Sequence, residues 1–324
     1  MKRPSCTLFL LICLTGLMSS GCLRFSRKTD QVVRPVPEEL AKPFAYTRIS
    51  SFKAKETEVE STHKYTVRRI EFEVPSFTGD SNRLMVLTHY HPNGPAPSPV
   101  ILILPISGGS YDLEEYFSRY FAKKGLATII VHREKISKSA KLIENINDLL
   151  VQTVIDNQHV IDWVETRPEL DANRIGVFGT SMGGIKGSLL APVEPRVKAA
   201  VLGLAGGDIP YVLEQSTEPG IRRRRKQLLE ETGYSIPELR SKLEEIIVAD
   251  PLNYGPYVDN EKVMLVLAAC DTVVPFPKGW ELREAMGRPE TVVVFAGHYS
   301  ALIYLPYIQS RAWHFFQRRF GLNH

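Results

Sequence analysis

The residue types needed for acyl transfer are present in workable chain order. Ser181 stands in Gly179-Thr180-Ser181-Met182-Gly183. A serine hydroxyl is a weak nucleophile near neutral pH, so it needs an adjacent base, and that base needs an orienting carboxylate. Where the serine sits on a strand-to-helix turn, the partners follow as Asp or Glu and then His. His298, His314 and His324 follow Ser181. His298 occupies the loop Ala296-Gly297-His298-Tyr299-Ser300, directly after an apolar run, and is the candidate base. His314 falls beside Trp313 in a helical pattern and reads as packing, and His324 is terminal. Asp271, in Cys270-Asp271-Thr272-Val273-Val274-Pro275, is the favoured acid. Asp208 is a rival, and so is Asp250, although Asp250-Pro251 reads better as a turn.

A Gly-x-Ser-x-Gly match alone is weak, since chance supplies about 0.1 in a chain of this length. The flanks strengthen it. Residues 174–178 form a buried-strand pattern running into Gly179, and a helical stretch opens after Met182. That is the context of a nucleophile elbow. The glycines are expected where a Cβ would strike the neighbouring strand and helix. Acyl transfer also needs two donors for the developing oxyanion. Met182, the residue after the nucleophile, should supply one backbone N–H. The other should come from Pro105-Ile106-Ser107-Gly108-Gly109-Ser110, with Ser107 placed best and Gly108 next.

The elements that would hold these groups alternate between strand and helix. Strand patterns fall over 65–74 and 83–89, with a turn at Asp80-Ser81-Asn82. Continuous apolar runs at 100–104, 126–131, 197–204, 262–267 and 291–295 read as strands covered on both faces. Helical patterns cover 111–124, 142–165, 183–190 and 301–320. The expectation is an α/β fold with a mostly parallel sheet and helices on both faces. Residues 208–250 interrupt the alternation with helical stretches at 227–231 and 237–248. They are expected to form a cap over the edge of the sheet where ligands bind.

The composition is that of a folded globular chain, 324 residues with 44% hydrophobic and 23% charged. A formal charge of +4 gives no sign of a nucleic-acid partner. Lys2 and Arg3, the apolar run 8–14 and the small residues Ser19-Ser20-Gly21 read as a signal peptide over 1–21. Cys22 follows. This junction resembles the lipobox of bacterial lipoproteins, with Ser19 where that pattern favours Leu. The resemblance implies that Cys22 carries lipid and that 22–45, polar and with three prolines, tethers a domain spanning 46–324 to a membrane. Cys6 and Cys13 would leave with the signal, so Cys270 would be the only thiol in the domain and no internal disulfide could form.

Other features read as structural. The basic run Arg222-Arg223-Arg224-Arg225-Lys226 reads first as a solvated helix face paired with Glu230 and Glu231, and second as a contact for anionic lipid or an acidic substrate. His89 and His91 could share one strand face, a weak hint of a metal site. Trp163, Trp280 and Trp313 read as packing residues.

The run Arg174-Ile175-Gly176-Val177-Phe178-Gly179-Thr180-Ser181-Met182-Gly183-Gly184 resembles the elbow of the α/β-hydrolase superfamily, in its dienelactone-hydrolase, acetyl-esterase and prolyl-oligopeptidase-like branches. The acid and base loops match as well, and the resemblance covers roughly residues 65–320. It implies an eight-stranded sheet, the triad Ser181, Asp271 and His298, and no cofactor. The departure is Pro105-Ile106, where many relatives have His-Gly. The expected activity is hydrolysis of a small-molecule carboxylic ester through an acyl-enzyme. The alternatives are a prolyl-oligopeptidase-like peptidase and a noncatalytic lipoprotein on the same fold. Nothing in the pattern speaks to oligomeric state.

Overall fold

The structure is a computed structural model that describes residues 22–76, 82–133 and 145–322. The signal-peptide stretch 1–21, the expected turn at 80–81, the start of the 142–165 helix and His324 lie outside the described residues.

Ten strands form one sheet: β1 (Cys22–Phe25), β2 (Lys55–Ser61), β3 (Tyr65–Pro75), β4 (Asn82–Pro92), β5 (Ser98–Leu104), β6 (Ala127–Val131), β7 (Leu170–Thr180), β8 (Val197–Gly203), β9 (Val263–Ala268) and β10 (Glu290–Val294). Their spatial order is β1-β10-β9-β8-β7-β5-β6-β4-β3-β2. The strands from β6 through β5, β7, β8 and β9 to β10 run parallel, and β4, β3 and β2 continue antiparallel. This is the expected α/β-hydrolase arrangement, with β3 to β10 as its eight strands.

The central strands form because they are apolar throughout. Every residue of β5 and of β9 is buried, as a strand covered on both faces requires. Helices α1 (Asp112–Lys123) and α8 (Leu305–Arg319) cover one face around Phe117, Phe121, Phe178 and Phe316. Helices α2 (Asn145–Glu165), α3 (Met182–Val193) and α7 (Phe276–Ala285) cover the other, around Trp163, Leu189 and Leu282. The helical pattern at 301–320 divides in two. A 3-10 turn spans Ser300–Tyr304, and α8 then opens with Pro306 in its first turn, where a missing N–H costs nothing.

Two edge strands lay beyond the sequence reading. Strand β2, Lys-Glu-Thr-Glu-Val-Glu-Ser, is almost wholly exposed, and its charges suit a sheet edge that must not recruit another strand. Strand β1 belongs to the stretch 22–45, expected as a tether. That stretch runs without regular structure from 26 to 37 and then makes two short helical turns, Glu38–Ala41 and Lys42–Phe44, and it lies against the domain. β1 pairs antiparallel with β10, Gln31 Nε2 donates to Val258 O at 2.9 Å, and Phe44 packs edge-on to Tyr254 at 5.3 Å. Polar, proline-bearing composition marks a segment without a core of its own but does not say whether its backbone has a partner.

Residues 208–250 hold three helices, α4 (Ile209–Gln215), α5 (Pro219–Thr232) and α6 (Ile236–Ile246). Arg240 on α6 reaches Asp208 at 3.1 Å and Glu214 at 3.0 Å, joining α6 to α4 and to the loop after β8.

Candidate active site

The site is built on the turn between β7 and α3. Ser181 takes φ 56° and ψ −120°, a left-handed backbone that a side-chain-bearing residue rarely adopts. Its N–H donates to Gly203 O at 2.8 Å, which ties the turn to β8. The sharpness of the turn explains the glycines. A Cβ on Gly179 would lie 2.2 Å from Gly183 O, and one on Gly183 would lie 2.0 Å from Leu104 O. Only a bare backbone fits at those two positions, and α3 therefore begins at Met182 with its N–H groups beside the Ser181 hydroxyl.

Ser181 Oγ is 2.9 Å from His298 Nε2, and His298 Nδ1 is 2.7 Å from Asp271 Oδ2. The residues come from the ends of β7, β9 and β10, which lie near one another at the same edge of the sheet. Asp271 is buried, and its second oxygen accepts the N–H groups of Val273 at 2.9 Å and Val274 at 3.0 Å. With one oxygen held by two backbone donors, the other is left facing the imidazole.

The rival acids have other partners. Asp208 caps α4 through the Tyr211 N–H and pairs with Arg240 and with Lys278, the latter at 2.9 Å. Asp250 accepts the N–H groups of Asp208 and Leu252, each at 2.9 Å. His314 is exposed on α8, with its ring 3.3 Å from Gln317 Oε1.

Ser107 and Gly108 line a cavity shared with Ser181, Met182 and His298. The preceding amide is already committed, because Ile106 N–H donates to Glu114 Oε1 at 2.8 Å. Arg133 clamps the same loop from the other side. Its guanidinium donates to Ile106 O at 3.0 Å and to Gly109 O, and it stacks on Tyr111 at 4.3 Å from the ring centre. Neither Glu114 nor Arg133 was singled out in the sequence. The only hint is a buried acid one turn into a helix that follows a glycine loop, and sequence cannot show that the acid is buried. Burial raises the Glu114 carboxyl above its ordinary value.

The cavity encloses about 610 Å³, within the usual range for a small-molecule site. Helices α4 and α5 contribute Ile209, Val212, Leu213 and Ile221 to its walls. The basic run on α5 is only partly a solvated face. Lys226 pairs with Glu230 at 3.5 Å, but Arg225 turns inward and donates to Leu213 O at 3.1 Å, serving the end of α4. His89 and His91 lie with ring centres 5.5 Å apart, and His89 packs edge-on to Trp163. Burial pushes His89 down to about 3, so it is a neutral core residue. Among the described residues no group of three or more His, Cys, Asp or Glu is arranged to hold a metal ion.

Comparison with known proteins places this architecture. Acetyl xylan esterase from Paenibacillus sp. superposes with a TM-score of 0.64 at 15% identity, over 94% of this chain and 98% of that one. Acetyl xylan esterase 1 from Thermoanaerobacterium sp. gives 0.60 at 17% identity, over 92% and 98%. At such identities the likeness is one of fold. In sequence, Esterase FrsA of Escherichia fergusonii is 29% identical over 136 residues, which are 41% of this chain. The match spans only 30% of that relative's length. The family model described as Esterase FrsA-like matches residues 45–217, just over half of the sequence, and the chain belongs to this FrsA-like family.

Proposed function

We propose that this protein hydrolyses carboxylic esters through an acyl-enzyme formed on Ser181. The observation that carries the reading is the unbroken hydrogen-bond chain Ser181–His298–Asp271, whose first two members line an apolar cavity. His298 Nε2 takes the Ser181 proton as Oγ bonds to the ester carbonyl carbon, and the carbonyl oxygen becomes an oxyanion. The Met182 N–H at the start of α3 and the Ser107 N–H receive that oxyanion, with Glu114 and Arg133 as positioning residues for the Ser107 loop. Collapse of the intermediate breaks the ester C–O bond, and the imidazolium returns the proton to the departing alkoxide. Water then repeats the sequence on the acyl-enzyme and releases the carboxylic acid. Asp271 holds the Nδ1 proton throughout and stabilises the imidazolium.

A fluorophosphonate probe and a p-nitrophenyl ester test this reading together. The wild type should be labelled and should release nitrophenol, and Ser181→Ala should do neither. Labelling that persists in Ser181→Ala rejects Ser181 as the nucleophile.

We also propose that the chain is exported and carries lipid at Cys22. What supports this is the sequence before Cys22: Lys2 and Arg3, the apolar run 8–14 and the small residues Ser19-Ser20-Gly21. Among the described residues no helix is long and apolar enough to cross a membrane. Metabolic labelling with an alkyne fatty acid should tag the wild type and not Cys22→Ala, and equal tagging of the two would refute the site.

A further inference from the structure

Strand β1 runs antiparallel to β10, with Cys22 opposite Val294. The end of β10 leads into Phe295 and on to His298, so Cys22 stands at the sheet edge that carries Ser181, Asp271 and His298. Its side chain packs against the apolar cluster that holds Val294, Ala296 and Ala301. Around this corner the surface is apolar. Phe295, Tyr299, Leu302 and Ile303, all within the stretch 295–303, are 74, 61, 53 and 63% exposed, so most of each side chain is free of the protein. Leu23, next to Cys22 and opposite Val293, is also exposed. Single exposed apolar side chains are ordinary, but a group of them in one place marks a contact surface.

The chemistry of this rim points to one kind of partner. Tyr299 joins an apolar ring to a polar tip, which suits the boundary between lipid and water. Tyr299 and Leu302 also line the cavity beside Ser181, together with Glu218 and Ile221 from the start of α5. The next two residues, Arg222 and Arg223, are exposed, and among the described residues neither is paired with a carboxylate. The Glu218 carboxylate is turned to the helix start, where it accepts the Ile221 N–H at 2.6 Å. Exposed apolar groups beside free cations are what a bilayer with anionic headgroups binds. We propose that Phe295, Tyr299, Leu302 and Ile303 form a docking surface for the lipid bilayer, with Arg222 and Arg223 at anionic headgroups, so that the cavity beside Ser181 opens toward the membrane. The proposal rests on the lipid-anchor reading of Cys22 and adds an orientation to it. Because β1 is paired into the sheet, a lipid on Cys22 would leave no free tether between the domain and the membrane. The neighbouring sheet edge would be held at the headgroups, where even a weak apolar contact is favoured by its high effective concentration.

Fluorescence quenching on the full chain reads this orientation. A dye is clicked to an azide-bearing residue in place of Leu302 or, at the opposite edge of the sheet, in place of exposed Lys198 at the start of β8. The protein is bound to vesicles of phosphatidylcholine and phosphatidylglycerol that contain nitroxide-labelled lipid. Quenching at the first position should exceed quenching at the second by at least about fivefold. Phe295→Asp/Ile303→Asp, two residues outside the cavity wall, should bring that ratio below about two with fatty-acid tagging at Cys22 unchanged and circular dichroism as the check of folding. Arg222→Gln/Arg223→Gln should weaken the quenching on these vesicles and leave it unchanged on phosphatidylcholine alone. Equal quenching at the two positions, or a ratio that the folded Phe295→Asp/Ile303→Asp variant leaves unchanged, would overturn the proposal. A dimer in detergent whose dye at Leu302 is not quenched on vesicles would also overturn it, since a second copy would then cover this face. Tagging absent from Cys22 with the ratio intact would reject the anchor alone. Tagging present with equal quenching would reject the docking surface alone.

Discussion

Replacing Asp271 by Asn probes the proposed chemistry with almost no change of shape. One Asp271 oxygen accepts two backbone N–H groups, from Val273 and Val274, and the other faces His298 Nδ1 at 2.7 Å. An amide has one oxygen and one NH2 group, so it must choose. Turning the NH2 toward the backbone would set a donor against two donors and orphan both in a buried loop. At about 1–3 kcal/mol for each, that arrangement costs about 2–6 kcal/mol. The oxygen therefore stays on the backbone amides and the NH2 faces His298. Nδ1 must then accept, which moves the imidazole proton to Nε2, the atom that has to take the Ser181 proton. The expected loss is about 10⁴ in kcat, equivalent to about 5.4 kcal/mol of barrier, at near-native stability. Stopped assays on a p-nitrophenyl ester, paired with thermal unfolding, measure both quantities. A folded Asp271→Asn protein that loses less than tenfold in kcat would refute the tautomer argument and the role of Asp271 with it.

Other perturbations test the surroundings of the site. Glu114→Ala removes the acceptor of the Ile106 N–H and should lower kcat about 10- to 100-fold, with a much smaller change in KM, as the loop proposed to receive the oxyanion loses its anchor. An unchanged kcat would show that the loop holds itself. Lys186, one turn into α3, is pushed down to about 8 by burial and by nearby Arg133, from an ordinary 10.5. Between those values the unfolded chain binds more protons than the native one, so wild-type stability rises with pH across that window. Lys186→Met should accordingly raise Tm at pH 7, with a gain that shrinks as the pH approaches 10.5; a gain constant from pH 7 to 10 would contradict the burial argument. Gly183→Ala would force a Cβ to within 2.0 Å of Leu104 O and should prevent a soluble, cooperatively unfolding product. A variant with wild-type Tm would mean that the turn can open at little cost.

Much of the scaffold was legible because its causes are local. Continuous apolar runs can be satisfied only by strands covered on both faces, so β5, β8 and β9 were readable from residue type alone. Edge strand β2 was not, because an exposed, charged strand has no apolar alternation, and its pairing with β3 is its only cause. The three cap helices were half legible. α6 carries a capping box between Ser235 and Glu238, whereas α4 is seven residues long and starts from Asp208 in a left-handed conformation that no pattern announces. The inward turn of Arg225 was hidden in a run of four arginines, since only the position of the α4 carbonyls separates it from its neighbours.

The elbow and the order of the groups around it were legible in the chain alone. Gly179, Ser181 and Gly183 answer to steric demands within a few residues, and chain order follows from the alternation of strands and helices. Which acid stands beside His298 was settled by the packing of the sheet. Asp208, Asp250 and Asp271 all follow plausible breaks in the pattern, and the sheet order brings Asp271 to the imidazole while Arg240 and Lys278 occupy Asp208. The same packing set the Glu114–Arg133 clamp on the Ile106 loop. The cause is range. Ser181 and His298 are 117 residues apart along the chain, and a 2.9 Å contact between them exists because buried strands far apart in sequence pack side by side, a consequence of the whole sheet and of no one segment of it.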